Sequence, residues 1–224
     1  MANPAAHLIA HVEGGSTVNG VTTSAIDTSN STLLVAIGAS FEGATEPTLS
    51  DSKSNTWIPL TAQSITANSR CRMFYVLSPS VGSGHTFTWS GTGTAPSICV
   101  MAFAGNITAF DQQNGATTPG NASTQATGSI TPSSDNALVV AGLSGGMTGN
   151  FSLNGIGALT GSKELSAGNY FASAAGYGIQ GTAAAVNLVF GWSGPSSGSN
   201  PVAVIASFTI AASGGSSGGS YGFA

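Results

Sequence analysis

Apolar residues in this chain recur with the two-residue period of a β-strand. No window places apolar residues at i, i+3, i+4 and i+7 with good helix formers between them. In the segment 184–192, by contrast, every second residue from Ala184 to Trp192 is apolar and would lie on one face of a strand. Short apolar runs bounded by Gly, Ser, Asn and Pro repeat at the spacing typical of sandwiches and barrels. The pattern predicts an all-β protein.

The predicted strands fall into two groups along the chain. They are 7–12, 22–27, 32–40, 55–65, 70–77, 84–90 and 97–104, followed by 124–130, 136–144, 151–159, 169–180, 184–192 and 201–210. Three apolar runs, 33–37, 98–103 and 202–206, have no polar face. Strands of this kind are covered on both faces. We therefore expect these three to lie at the centre of a sandwich or in an oligomer interface.

The sequence contains an internal repeat. The motif Phe87–Gly91 recurs as Phe190–Gly194, and the segment 25–36 has a counterpart in 129–141. The period of about 100 residues is too long for one unit of a solenoid or propeller. We therefore predict an antiparallel β-sandwich, of jelly-roll or immunoglobulin-like type, built from two related halves by internal duplication.

The halves are predicted to span residues 1–110 and 111–212. Asp111–Gly115 has the composition of a turn and is expected to mark the junction. Whether the halves pack as one continuous sandwich or as two stays open. Residues 213–224 form a Gly/Ser-rich tail that is not expected to belong to the core.

Charge is scarce. The chain has four basic and eight acidic residues, so 5% of its residues are charged, against about 25% in an ordinary soluble domain. A net charge of −4 with scattered basic residues gives no electrostatic surface for nucleic acid. No apolar run approaches the roughly 18 residues that a membrane span needs. We expect neither nucleic acid nor a membrane among the partners.

The histidines do not suggest a metal site. His7 and His11 would share one face of a strand but lie about 13 Å apart, too far to bind one ion. His85 begins a strand and has no acidic or cysteine neighbour in sequence, which favours a strand-edge side chain. We predict no metal and no cofactor.

The most polar segment, Asp51–Trp57, indicates a turn capped by Asp51 and Asn55. A calcium loop is disfavoured because the turn lacks glycine and no bidentate glutamate follows it. No acid lies in the aromatic-rich context of a glycosidase cleft, and no Gly-x-Ser-x-Gly elbow is present. We predict no catalytic residue and therefore a protein that is not an enzyme.

The cysteines and arginines have two readings each. Cys71 and Cys99 lie in apolar strand patterns, which favours two buried thiols over a disulfide between neighbouring strands. Arg70 and Arg72 would share one strand face, which favours a solvated or interface face paired with an acid over anion recognition.

The tryptophans could stack on sugars or fill the core. Trp57 adjoins the polar segment, whereas Trp89 and Trp192 occupy matching places in the repeated motif. Because equivalent residues in alternating strands serve packing more often than binding, the core is the favoured interpretation.

Several segments together resemble a poorly characterised group of β-sandwich proteins of bacteria, prophages and tailed bacteriophages. The segments that carry the resemblance are 33–36, 51–57, 73–76, 84–89, 98–105, 110–115, 129–132, 135–140 and 202–208. The resemblance covers most of residues 20–210 and supplies no catalytic residues. It implies a virion-associated or extracellular-type module, of the kind used in capsid decoration, fibres or adhesion.

We therefore expect a non-enzymatic virion structural protein, a phage capsid decoration protein or a head- or tail-associated β-sandwich. Its expected partners are capsid or other virion proteins and further copies of itself, with a trimer among the closed symmetric forms. Residues 1–7 show no basic region leading into an apolar stretch. This absence favours synthesis in the host cytoplasm and localisation in the virion. The alternatives are a carbohydrate-binding or adhesive lectin-like module that contacts host-surface glycans, and a glycan-degrading enzyme.

Overall fold

The computed structural model describes residues 6–16, 20–41, 46–91, 94–155, 158–165, 171–194 and 198–211, and this part of the chain contains strands and loops but no helix. The strands of the first half are β1 (His7–Gly15), β2 (Val21–Thr22), β3 (Leu33–Phe41), β4 (Thr48–Asp51), β5 (Ile58–Pro59), β6 (Gln63–Ser64), β7 (Ser69–Leu77), β8 (Phe87–Ser90) and β9 (Ser97–Ala104). Those of the second half are β10 (Ile107–Thr117), β11 (Thr124–Ala126), β12 (Ala137–Gly145), β13 (Thr148–Asn154), β14 (Ala158–Leu165), β15 (Phe171–Gln180), β16 (Val189–Gly194) and β17 (Val202–Ile210).

The strands form four antiparallel sheets, two in each half. The first central sheet has the order β1-β9-β3-β7-β5, with β6 also paired to β7, and the first outer sheet has the order β2-β8-β4. The second central sheet has the order β10-β17-β12-β15-β14, and the second outer sheet has the order β11-β16-β13. When β5 and β6 are counted as one position, the two halves have the same strand order. The all-β, sandwich-like architecture predicted from the sequence is confirmed.

The two central sheets pack face to face, and each outer sheet covers the far side of its own central sheet. On β3, Leu33, Val35 and Ile37 belong to a core shared with the second central sheet. The intervening Leu34 and Ala36 belong to the core beneath the first outer sheet. This alternation explains why the central strands have no polar face. The expectation that they are covered on both faces is confirmed, and the chain forms a stack of four layers.

The core between the halves is built from reciprocal contacts. Tyr75, opposite Val35, packs edge-on against Phe208 with ring centroids 5.4 Å apart. Its counterpart Tyr177, opposite Val140, packs edge-on against Phe103 at 5.2 Å. Each half thus offers a tyrosine on one strand to a phenylalanine of the other half, as the two subunits of a symmetric dimer do.

The repeated Phe-x-Trp-Ser-Gly motif does not occupy equivalent places in the two halves. The backbone N–H and C=O of Phe87 pair with Thr23, and those of Leu188 pair in the same way with Thr127. Phe87 therefore corresponds to Leu188, and Trp89 corresponds to Phe190, two residues before Trp192. The prediction that Trp89 and Trp192 are equivalent is wrong. The paired threonines set the register of the strands. The match between the two copies of the sequence motif is shifted from that register by two residues.

The difference between Trp89 and Phe190 is compensated in the central sheets. A Cβ on Gly38 would lie 2.1 Å from the Trp89 ring, so the indole occupies the space above this glycine. Gly38 and Leu143 lie at matching positions, five residues beyond Leu33 and Leu138 in strands of the same register. The first half thus combines tryptophan with glycine, and the second combines phenylalanine with leucine.

Most of the predicted strands are present, and the main corrections concern polar segments. The turn expected at Asp111–Gly115 is instead part of β10, an edge strand of eleven residues that pairs with β17. Strand β4 was not predicted and ends at Asp51, where the expected turn begins. The predicted strand 55–65 contains just the two short strands β5 and β6. The predicted strand 151–159 is divided between β13 and β14. The tail 213–224 lies outside the described residues.

Candidate functional site

A buried polar network lies at one end of the first half. His85 is fully buried, its Nδ1 lies 2.9 Å from the Thr28 hydroxyl, and its Nε2 lies 3.2 Å from Asp51 Oδ1. Oδ2 of Asp51 accepts a hydrogen bond of 2.6 Å from the Trp57 indole N–H. The network therefore joins three loop segments that are far apart in sequence.

Local structure places each member of this network. Asp51 ends β4, and its Oδ1 accepts hydrogen bonds from the backbone N–H groups of Lys53 and Asn55, which closes the turn that follows. His85 forms an isolated antiparallel bridge with Ile26, which brings it beside the loop that carries Thr28. The predicted turn capped by Asp51 is confirmed, whereas the Asn55 side chain bonds to the backbone of Ser80.

The electrostatics of the pair keep the histidine neutral. Burial lowers the pKa of His85, and the carboxylate of Asp51 offsets this only in part. Burial alone would raise the pKa of Asp51, but the N–H groups of Lys53, Asn55 and Trp57 hold it below the ordinary value. At neutral pH the pair is therefore a carboxylate beside a neutral imidazole, whose Nε2 proton faces the carboxylate.

The order hydroxyl, imidazole, carboxylate is that of a nucleophilic triad, but here it is closed to substrates. Thr28 and His85 are both fully buried, as is the Asp51 side chain. The Thr28 hydroxyl oxygen also accepts a hydrogen bond from the backbone N–H of Gly82 at 3.2 Å. Because no reacting atom can approach the hydroxyl, the role of the network is structural. It holds the loops together, and we call it the polar tie. The expectation of a strand-edge role for His85 missed its partner, which lies 34 residues away in the sequence.

The arginines are paired as the sequence predicted. Arg70 and Arg72 contact the two carboxylate oxygens of Glu46 at 3.2 Å and 3.0 Å. Arg72 also donates to the backbone oxygen of Leu60 and lies 5.4 Å above the Phe74 ring. The reading of a face paired with an acid is confirmed.

The other candidate residues are distributed between core and surface. Cys71 and Cys99 are free, buried thiols on strands that are separated by β3, as expected. The three tryptophans are buried as well, which confirms the core interpretation favoured for Trp89 and Trp192. His7 and His11 lie exposed on β1. Across the described ranges no three His, Cys, Asp or Glu side chains are grouped as metal ligands would be. No helix in these ranges could cross a membrane.

An open groove lies on the second outer sheet. It has a volume of about 420 Å³ and is open to solvent. Its lining, which we call the outer groove, consists of Ser123, Thr124, Asn150, Ser152, Asn154, Gly191, Trp192 and Ser193. All are uncharged, and hydroxyl and amide groups predominate. Of these residues the sequence analysis considered only Trp192, as a possible sugar-stacking side chain, because the others are brought together by the pairing of β11, β16 and β13.

Strand pairing explains how the outer groove forms. Thr124 of β11 and Ser152 of β13 lie opposite Gly191 of β16 on either side. Gly191 lacks a side chain, and a Cβ there would lie 2.9 Å from Ser152 Oγ. The sheet face is therefore depressed along its central strand. The rim is held by the Ser193 hydroxyl, which accepts a hydrogen bond from the Asn150 backbone N–H at 3.0 Å.

Comparison with known proteins identifies no relative, since no protein-family model, no curated protein and no solved structure matches the chain.

Proposed function

We propose that this protein is a non-enzymatic structural component of a virion, a phage capsid decoration protein or a head- or tail-associated protein. The observation that carries the proposal is the strand order. With β5 and β6 counted as one position, the central sheet of each half takes its strands in the order 1-8-3-6-5 and the outer sheet in the order 2-7-4. This order resembles that of an eight-stranded jelly roll in which the fifth strand has moved to the edge of the central sheet, and it supports the proposal of a jelly roll. Jelly rolls recur in viral capsid and lectin domains.

The same strand order supports duplication of one ancestral unit. Both halves use it, and their tyrosine–phenylalanine contacts are reciprocal. A chain of this kind is a fused pseudo-dimer of jelly rolls, stacked through their central sheets. We propose further that it assembles as a closed homo-oligomer, a trimer among the candidates, because most soluble assemblies of identical chains are closed.

The use of polar groups also supports a structural role. His85, Asp51 and Thr28 tie loops together inside the first half. Arg70 and Arg72 form ion pairs with Glu46. Because these polar groups hold the loops in fixed positions, the stack of sheets is rigid, as a component of an assembled particle has to be.

Since fold does not determine function, incorporation into particles has to be measured. The epitope-tagged full chain is expressed in cells that produce particles, and the particles are separated on a density gradient. We expect the chain to co-sediment with the particles in a fixed ratio to the major capsid protein, as measured by quantitative mass spectrometry.

Light scattering after size exclusion gives the oligomeric state of the unassembled chain. A chain that is monomeric, that stays in the soluble fraction and that does not bind purified particles would contradict the proposal. The second candidate is a carbohydrate-binding, lectin-like module, which is favoured by the outer groove and is argued below.

A further inference from the structure

We propose that the outer groove binds a neutral oligosaccharide. This inference goes beyond the structural role proposed above and does not depend on it, because a glycan site can serve a particle-bound or a free protein. It commits to one ligand class, a chain of uncharged sugar units that carry free hydroxyl groups.

The chemistry of the lining matches this class. Thr124, Ser152 and Ser193 contribute hydroxyl groups, and Asn150 and Asn154 contribute carboxamides. Each of these groups can both donate and accept hydrogen bonds, as a sugar hydroxyl does. No charged residue lines the groove, so nothing there would offset the desolvation of a charged ligand.

The lining groups are available to a ligand. Ser152 and Asn154 are exposed on β13, and Thr124 is exposed on β11. The groove above Gly191 lets a ligand lie between these side chains, with hydroxyl or amide groups on both sides. A sugar chain laid across β16 would therefore meet donors and acceptors from all three strands of the second outer sheet.

Trp192 supports the outer groove from the inner side of the sheet. It alternates with Gly191 along β16, and its side chain packs with Phe190 in the apolar core beneath the second outer sheet. Phe151, which lies opposite Trp192 on β13, packs against the same core. The backbone that carries the polar lining therefore rests on a packed apolar layer.

The first outer sheet shows that the groove is not a general property of the fold. Ser90 stands there at the position that corresponds to Gly191, next to Trp89. The hydroxyls of Thr22 and Thr88 lie 2.9 Å apart and bond to each other. That face has hydroxyl groups of the same kind, but they are paired across strands and no glycine opens the surface. It is therefore an internal control.

The test uses the full chain and a microarray that carries neutral, sialylated and sulfated oligosaccharides. We expect binding to a subset of the neutral glycans. The strongest soluble hit is then titrated by isothermal calorimetry, and tryptophan fluorescence follows the same titration. Absence of binding to every neutral glycan would overturn the inference, and so would binding confined to sialylated or sulfated ones.

Two variants locate the site. Asn154→Ala removes a carboxamide from the rim, and Gly191→Val fills the floor of the groove. We expect each to weaken binding at least tenfold while circular dichroism and the thermal midpoint stay close to those of the parent. The matched control, Thr88→Ala on the first outer sheet, should bind like the parent. If both groove variants bind like the parent, or if Thr88→Ala loses binding, the site is not in the outer groove.

Discussion

The two halves of this protein share one strand order but differ in how they fill it. At the end of the first half, Ile26 forms a bridge with His85, which belongs to the polar tie with Asp51 and Thr28. At the matching place in the second half, Ile130 forms a bridge with Val186, and both are buried among apolar residues. One topology therefore accepts either a polar network or an apolar cluster at the same corner.

The outer sheets of the two halves also differ. On the first outer sheet the paired hydroxyls of Thr22 and Thr88 satisfy each other. On the second, Gly191 opens a groove lined with hydroxyl and amide groups. The first half thus combines a polar network at one corner with paired hydroxyls on its outer face, and the second half combines an apolar cluster at that corner with an open groove. The ligand site that we propose therefore lies in the second half alone.

The largest expected effect concerns the exchange of core partners between the halves. Gly38→Leu places in the first half the residue that the second half has at Leu143. Because even a Cβ at Gly38 would lie 2.1 Å from the Trp89 ring, we expect the free energy of unfolding to fall by about 3 kcal/mol. Urea unfolding followed by far-ultraviolet circular dichroism measures the loss.

The double variant Gly38→Leu/Trp89→Phe sharpens this comparison. It transplants the leucine–phenylalanine pair of the second half, and we expect it to be more stable than Gly38→Leu alone. The double-mutant cycle should therefore give a favourable coupling energy. Strictly additive losses from the two substitutions would contradict the assigned equivalence of Trp89 with Phe190.

An intermediate effect concerns pH and comes from His85 in the polar tie of the first half. The pKa of His85 is lowered from 6.5 on folding, first by burial and also by nearby Lys53. The unfolded state therefore binds the proton more readily, and stability falls as the pH drops below about 6.5. The pKa of Asp51 is also lowered, so its contribution is lost at more acidic pH, as the carboxylate is protonated.

Urea unfolding at pH 7.5, 6.5, 5.5 and 4.5 measures this dependence. The contribution of one histidine cannot exceed about 1.4 kcal/mol per pH unit. His85→Val, the residue type found at the matching position of the second half, should flatten the profile between pH 6.5 and 5.5. The control His11→Gln changes an exposed histidine on β1 and should keep the parental slope there. Equal slopes in the parent and in His85→Val would refute the assignment.

How much of the structure could be predicted from the sequence depends on whether the residues that contact each side chain lie nearby in the sequence. The strands β3, β9 and β17 were predicted to within one residue at their ends, since an unbroken apolar run such as 98–103 leaves little choice but a doubly covered strand. Strand β10 was not, because its polar residues look like a turn. In the structure they bond to loops: Gln112 and Gln113 accept hydrogen bonds from the backbone N–H groups of Thr131 and Thr61. These partners come close to β10 only when the sheets have packed together.

The outer groove and the polar tie were beyond prediction for the same reason. Asp51 and His85 meet because β4 pairs with β8, and no local pattern fixes that pairing. The near-repeat of the Phe-x-Trp motif was also misleading, because it suggested a register two residues away from the one that the threonines Thr23 and Thr127 establish.

The smallest expected effect on stability, but a direct test of how the halves meet, concerns the two thiols. Cys71 and Cys99 both lie in the first half, on the face that the second half covers. Burial raises the pKa of both thiols, and the charge of Glu13 adds to this for Cys99. Since the thiolate is the reactive form, we expect a disulfide reagent such as DTNB to label both thiols readily in guanidinium chloride. In native buffer labelling should be slower by at least about a hundredfold, because it must await opening of the core.

Gly142→Val links this labelling to the contact between the halves. A Cβ at Gly142 would lie 2.4 Å from the Ile37 side chain of the facing sheet, so the larger residue pushes the central sheets apart and should speed native labelling. Gly191→Ala, on the outer face of the second half, is the matched control and should label like the parent. Rapid labelling of the parent would show that the halves separate readily. An unchanged rate in Gly142→Val would show instead that the thiols become accessible by a route other than separation of the two central sheets. In that case the sheets within one half would separate before the two halves do.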